Sequence, residues 1–315
     1  MSRRIVFMGT PDFAVSSLDA IVRNDYDVAA VVTVPDRPTG RGQKITISPV
    51  KAYAQQHQLP LLQPEKLRNP EFLEQLQALK ADLFVVVAFR MLPREVWAMP
   101  PMGTFNLHAS LLPQYRGAAP INWAIINGES KSGVTTFLLN ERIDEGQLLL
   151  QRETPISDDD TAETLHDRLA AMGSELVVET LDKLFDGSIQ PQPQSSQATL
   201  KPAPKIFKQD CAIDWRQNGQ AIHNFVRGLS PYPAATATMS DSKGAEIYMK
   251  IYQTHFESDG NSTIGTIYTD KKKWLKIGVK DGFVEILSLQ ISGKKKISID
   301  EFLRGYDVSN WKLIF

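Results

Sequence analysis

The run Asp82-Leu-Phe-Val-Val-Val-Ala-Phe89 constrains the fold more than any other stretch of the chain. It is apolar at nearly every position. A strand of that kind is covered on both faces, as in a parallel sheet flanked by helices. Two similar runs precede it, Ile5 to Gly9 and Val28 to Val34. Between them Phe13, Leu18, Ile21 and Val22 recur at helical spacing, and Thr10 or Asp12 is the expected cap. This βαβ start implies a doubly wound, Rossmann-like α/β sheet with the 82–89 run at its centre. Gly9-Thr10-Pro11-Asp12-Phe13 is not a GxGxxG loop. No acid ends the second strand in the usual way, apart from Asp36 beyond Pro35, so a dinucleotide site is not expected.

Ser48-Pro49 and Asn69-Pro70 each read as a cap followed by a first-turn proline, so helices start there. Residues 35–47 break the pattern. Two prolines and two glycines argue against regular structure, and Arg37, Arg41 and Lys44 make the segment basic. Connections in α/β units usually take two to six residues, so this length needs a reason. A solvated surface loop and a mobile arm that contacts phosphates are both open at this point.

Gly103-Thr-Phe-Asn-Leu-His108 reads as a short buried strand opened by glycine. Side chains alternate along a strand, so Asn106 and His108 point one way and Phe105 and Leu107 the other. An amide donor and an imidazole then sit together at a strand's C-terminal end, where open α/β sheets place their chemistry. Asp144, one strand further on, is positioned to set the imidazole's tautomer and orientation. A donor for a growing oxyanion, an acid/base and an orienting carboxylate suit acyl-group transfer.

The chain has 315 residues, a net charge of −1 and a single cysteine, Cys211. That length suggests two domains. The charge balance leaves nucleic-acid contact to local patches. One cysteine makes no intrachain disulfide, and no apolar run reaches the length of a signal or spanning segment, so a cytoplasmic protein with no membrane association is expected. Asp158-Asp159-Asp160-Thr161 heads a long helix to about Phe185, with acids at the end the helix dipole favours. The domains are expected at 1–189 and 206–315, joined by a polar, proline-rich linker over 190–205, semi-extended and loosely packed. Beyond it, one helix over 220–229 precedes five short strands separated by turn signals, which suggests a small OB-like β-barrel. Lysines cluster at 271–273 and 294–296. They either protect strand edges or form a phosphate-binding face.

Asn106-Leu-His-Ala-Ser-Leu-Leu-Pro113 followed by Tyr115-Arg-Gly-Ala-Ala-Pro120 resembles the signature of the 10-formyltetrahydrofolate-dependent formyltransferase family. Gly9-Thr-Pro-Asp-Phe13, Pro35-Asp-Arg-Pro-Thr-Gly-Arg-Gly42, Ile213-Asp-Trp215, Pro231-Tyr-Pro233 and Leu289-Gln290 with Gly293-Lys-Lys295 extend the resemblance over nearly the whole chain, toward the branch that formylates initiator tRNA. The resemblance implies a Rossmann-like formyltransferase domain with a C-terminal OB-like barrel. It also implies transfer of formyl from 10-formyltetrahydrofolate to the methionine amine of initiator Met-tRNA, with no metal, by a monomer. It places catalysis on Asn106, His108 and Asp144. Folate contacts fall on Ser110, Leu111, Leu112 and Pro113 and on Phe89, Arg90, Met91 and Leu92, and tRNA contacts on Arg37, Arg41 and Lys44. Two loops depart from the family pattern. The loop after the central strand, Phe89-Arg-Met-Leu-Pro93, lacks a glycine and one residue, and Arg142 replaces the first glycine before Asp144. A sister enzyme acting on a sugar-nucleotide amine is the nearest rival, and the basic 35–44 segment is what such an enzyme would not need.

Overall fold

The computed structural model describes residues 3–39, 44–195 and 199–315. In chain order the elements are β1 (Arg4–Gly9), α1 (Asp12–Arg23), β2 (Asp27–Val32), β3 (Arg37–Thr39), β4 (Lys44–Thr46), α2 (Pro49–Gln56), β5 (Leu61–Leu62), α3 (Pro70–Ala78), β6 (Leu83–Val87), α4 (Arg94–Trp97), β7 (Thr104–His108), α5 (Pro120–Ile126), β8 (Lys131–Leu138), β9 (Leu148–Pro155) and α6 (Ala162–Phe185). There follow α7 (Gly219–Leu229), β10 (Ala235–Ser240), β11 (Glu246–Ser258), β12 (Ile267–Thr269), β13 (Leu275–Val279), β14 (Gly282–Ile291), β15 (Ile297–Ser298), α8 (Ile299–Gly305) and β16 (Lys312–Ile314). The chain divides into two compact units. One is Met1–Gly117, Ser132–Thr154 and His166–Ala203, and the other is Ala118–Lys131, Pro155–Leu165 and Pro204–Phe315.

The first unit is built on a seven-stranded sheet in the order β5-β2-β1-β6-β7-β8-β9. β6 is its fourth strand. The pairs from β5 to β7 are parallel, and β7 with β8 is antiparallel. The progression of strands reverses between β1 and β6, and open α/β sheets bind ligands outside the strand C-terminal ends at such a point. Val6, Met8, Val32, Phe84 and Val86 pack on Phe72 and Leu76 of α3 and Val96 of α4. Ile5, Phe7, Leu83 and Val85 are also fully buried. Each such side chain contributes roughly 1.5–3 kcal/mol relative to exposure. Ser48 Oγ accepts from Lys51 N at 3.0 Å and Asn69 Oδ1 from Glu71 N at 3.0 Å, as cap chemistry requires. At α1 the N-cap is Pro11, with no side-chain bond, and Asp12 lies in the first turn, where its charge favours the dipole.

The 35–47 segment does carry regular structure. β3 and β4 pair antiparallel with Arg37 opposite Thr46 and Pro38 opposite Ile45. A proline is tolerated there because a two-stranded ribbon leaves each strand one unpaired edge. Asp36 is tied by Lys51 Nζ at 2.6 Å and Gln63 Nε2 at 3.0 Å, which hold its carboxyl below the usual range.

The second unit carries a nearly closed antiparallel barrel in the order β12-β13-β14-β11-β10-β16, with β15 on β14. Trp215, Ile222, Val226 and Leu229 fill its core with Met249, Ile251 and Ile286. β15, α8 and β16 add to the five expected strands. Their short runs, two to seven residues, are too brief to show a period. Arg227 is buried and donates to Ser157 O at 3.0 Å, Asp160 O at 2.9 Å and Asn224 Oδ1 at 2.9 Å. Lys294 and Lys296 lie over the rings of Tyr306 and Tyr252 at 5.5 and 4.7 Å. Among the described residues no helix is long and apolar enough to cross a membrane.

Candidate active site

The site grows from the C-terminal end of β7. Phe105 and Leu107 are buried in the sheet, and Leu107 faces α6: a Cβ added at Gly173 would lie 2.7 Å from Leu107 Cδ2. Asn106 and His108 therefore share the opposite face. The Asn106 carboxamide has no hydrogen-bond partner among the described residues and is half-buried, so its N–H groups are available as donors. His108 is only 6% exposed.

The ring of His108 is held on two sides. Nε2 lies 2.8 Å from the main-chain oxygen of Tyr115. A carbonyl only accepts, so Nε2 carries the proton and the lone pair sits on Nδ1. Nδ1 lies 3.9 Å from Asp144 Oδ2, beyond hydrogen-bond length but within ion-pair range. The tautomer expected from Asp144 is thus set by Tyr115, because the turn after Ser110 brings that carbonyl back to the ring. Ser110 Oγ donates to Gln114 O at 2.7 Å and Gln114 N to Leu111 O at 3.1 Å. The carboxylate has its own anchor, Gly117 N–H, at 2.8 Å from Oδ2.

Tyr115 and Asp144 are both non-glycine residues in the left-handed region, with φ of 60° and 55°. Such conformations cost about 1–3 kcal/mol each and persist only where neighbours impose them. The neighbours come from the segment expected to be a loose linker. Leu148 and Gln192 exchange main-chain hydrogen bonds at 2.7 and 2.9 Å. Gln194 reaches the main chain of Asp144 and Gly146, and Lys201 O accepts from Tyr115 N at 2.7 Å. Ala203 N donates to Arg116 O at 2.8 Å. These are pairings onto the main chain between distant stretches, and polar, proline-rich composition carries no sign of them.

The residues expected to touch folate separate into two groups. Arg90, Met91 and Leu92 line a cleft of about 410 Å³ with Glu65, Lys66 and Arg68. The Arg90 guanidinium donates to Glu65 O at 2.8 Å and to Pro64 O, and stands over the Phe89 ring at 5.6 Å. Its buried Nε has no hydrogen-bond partner. Burial, then the nearby charge of Arg37, pulls its pKa below the usual arginine value. Met91 is 72% exposed at the cleft, whereas Phe89 packs beside the core. Ser110, Leu112 and Pro113, which follow His108 in the chain, are buried, with Leu111 half-exposed. Thr135 Oγ1 donates to Ser110 O at 2.6 Å and accepts from Leu112 N at 3.2 Å, and Gln151 Nε2 donates to Leu112 O at 2.8 Å. These main-chain groups are committed inside the protein, so this stretch offers shape and apolar surface more than free polar atoms.

Of the basic residues on the 35–44 segment, Arg37 is exposed on β3. Arg41 and the side chain of Lys44 lie outside the described residues. Thr135, Gln151 and Gln194 were not singled out by sequence, and Tyr115 and Gly117 entered only as part of a signature, with no role at the site. Each acts through a contact made across at least seven residues of chain, which no local pattern marks.

Two family models match the chain, formyl transferase over residues 3–181 and the formyl transferase C-terminal domain over residues 205–307. A methionyl-tRNA formyltransferase of Parabacteroides distasonis is 55% identical over 309 residues, covering 96% of this chain and 95% of that one. One from Bacteroides fragilis is 52% identical over 310 residues, covering 97% and 96%. Among solved structures, an N-formyltransferase from Helicobacter canadensis in complex with folinic acid and dTDP-3-aminofucose superposes with a TM-score of 0.66 at 23% identity, over 94% of this chain and 100% of that one. HypX from Aquifex aeolicus in complex with tetrahydrofolic acid gives 0.64 at 20% identity, over 100% and 51%. At that identity the two structures share the fold.

Proposed function

The chain belongs to the formyl transferase family, and from that membership we propose that it moves the formyl group of 10-formyltetrahydrofolate to the methionine amine of initiator Met-tRNA, in the cytoplasm where translation begins. What carries the reading is the meeting of Asn106, His108 and Asp144 at one sheet edge, in a chain alike along its whole length to enzymes named for that reaction.

The folate co-substrate supplies an activated formyl carbon. Its pteridine takes the cleft beside Arg90, Met91 and Leu92, with Phe89 and the 110–113 turn shaping the approach. Asn106 donates to the formyl oxygen as the amine attacks and negative charge collects there. Loss of one such donor typically costs about 3 kcal/mol of barrier. His108 accepts the amine proton on Nδ1, since Nε2 is occupied by Tyr115, and returns it to the departing folate nitrogen. Asp144 stabilises the imidazolium formed in between, from 3.9 Å. Holding both reactants at this edge contributes the other large share, roughly 7–11 kcal/mol where alignment is good.

Arg37, Arg41 and Lys44 take the acceptor-stem phosphates. The lysines at 271–273 and 294–296 are further candidates for phosphate contact. Purified protein supplied with labelled 10-formyltetrahydrofolate and either charged initiator tRNA or an amino sugar nucleotide distinguishes the acceptors. Label on the methionyl-tRNA is expected. Label on the sugar alone would overturn the assignment.

A further inference from the structure

We infer that Gln194, outside the catalytic trio, is a positioning residue for this reaction, setting the reach of Asp144 toward His108. The inference rests on the proposed roles of those two residues.

The geometry is specific to a carboxamide. Gln194 Nε2 donates to Asp144 O at 2.7 Å and to Gly146 O at 2.9 Å. Its Oε1 accepts from Arg116 Nε at 3.2 Å and Nη2 at 2.6 Å. One planar group therefore supplies two donors to the acid loop and one acceptor to the turn that holds Tyr115 and Gly117. Only Asn and Gln offer both functions on one plane, and Asn is a methylene too short. Both partners of His108 depend on this clamp. Asp144 lies in the left-handed region, and Gln194 fixes its carbonyl. Arg116, tied by the same side chain, lies between Tyr115, whose carbonyl holds Nε2, and Gly117, whose N–H holds the carboxylate. Gln194 touches neither ring nor carboxylate, so it acts through position.

The test is a double-mutant cycle read by single-turnover formyl transfer to Met-tRNA. Gln194→Leu is expected to lower the transfer rate roughly ten- to a hundredfold, the scale of a small misplacement, with KM for folate and tRNA changed less than about twofold. In an Asp144→Asn background the same change is expected to cost less than about twofold, because residues acting as a unit are not additive. Gln194→Glu keeps the Arg116 pairing and loses both donors. It is expected to lose rate in the same way, and it serves if the leucine variant does not fold. Gly117 N–H exchange is expected to quicken about tenfold in either variant. An undiminished Gln194→Leu, or an equal loss in both backgrounds, would overturn the inference and leave the proposed function standing. Full activity in Asp144→Asn alone, or no transfer by the unmodified chain, would remove the reading of the site and this inference with it.

Discussion

His108 gives its Nε2 proton to the main-chain carbonyl of Tyr115, 2.8 Å away. That one contact decides which ring nitrogen keeps its lone pair. In ¹⁵N-detected NMR of the free protein, neutral His108 is expected in the Nε2–H form. A dominant Nδ1–H form would mean that the carboxylate, at 3.9 Å, sets the tautomer after all.

Arg90 lines the cleft with Met91 and Leu92, yet its guanidinium is spent on the carbonyls of Pro64 and Glu65. It braces the loop that follows β6. Arg90→Ala is expected to raise KM for the folate about tenfold or more, the scale of losing one charge-assisted hydrogen bond. Arg90→Lys should recover little, since a single ammonium cannot reproduce the planar fork. Folate KM for the two variants decides this. A Lys variant equal to the unmodified protein would mean that charge, not shape, is what the cleft uses.

The exposed arginine of the β3–β4 ribbon gives a salt signature. Arg37→Ala is expected to weaken tRNA binding at all salt concentrations and to lower the slope of log K against log salt by about one, with folate KM unchanged. Arg41→Ala should behave in the same way. Unchanged slopes in both would take the ribbon out of tRNA recognition.

Tyr53 provides a test of stability against pH. Burial, then its hydrogen bond to Asp19, pushes the phenol up to about 12. A group raised in the folded state stabilises fully below its unfolded pKa, about 10, and that contribution is lost as pH rises toward 12. The urea midpoint is expected to fall between pH 10 and 12, and to fall less steeply in Tyr53→Phe. Parallel curves for the two proteins would show that the phenol does not contribute.

Much of the fold could be read from local pattern. The apolar runs at 5–9 and 82–89 became paired parallel strands, and Ser48-Pro49 and Asn69-Pro70 opened helices through bonds within three residues of the cap. Such signals are local and survive without knowledge of neighbours. What was not legible is long-range. The β3–β4 ribbon looked excluded by two prolines and two glycines, but such residues say nothing about which edge of a strand they face. Gln194 sits in polar, proline-rich sequence, and its partner Asp144 lies 50 residues away. The alternation that puts Asn106 beside His108 was visible, whereas the Tyr115 carbonyl on the ring depends on how one turn closes.

The assignment of chemistry to one carboxamide, one imidazole and one carboxylate is tested most directly by single-turnover formyl transfer with both substrates bound. Asn106→Ala, His108→Ala and Asp144→Ala are each expected to slow the transfer step by roughly a hundredfold or more with the protein still folded, the scale of losing one transition-state contact. Any of the three transferring formyl at the rate of the unmodified protein would contradict the account.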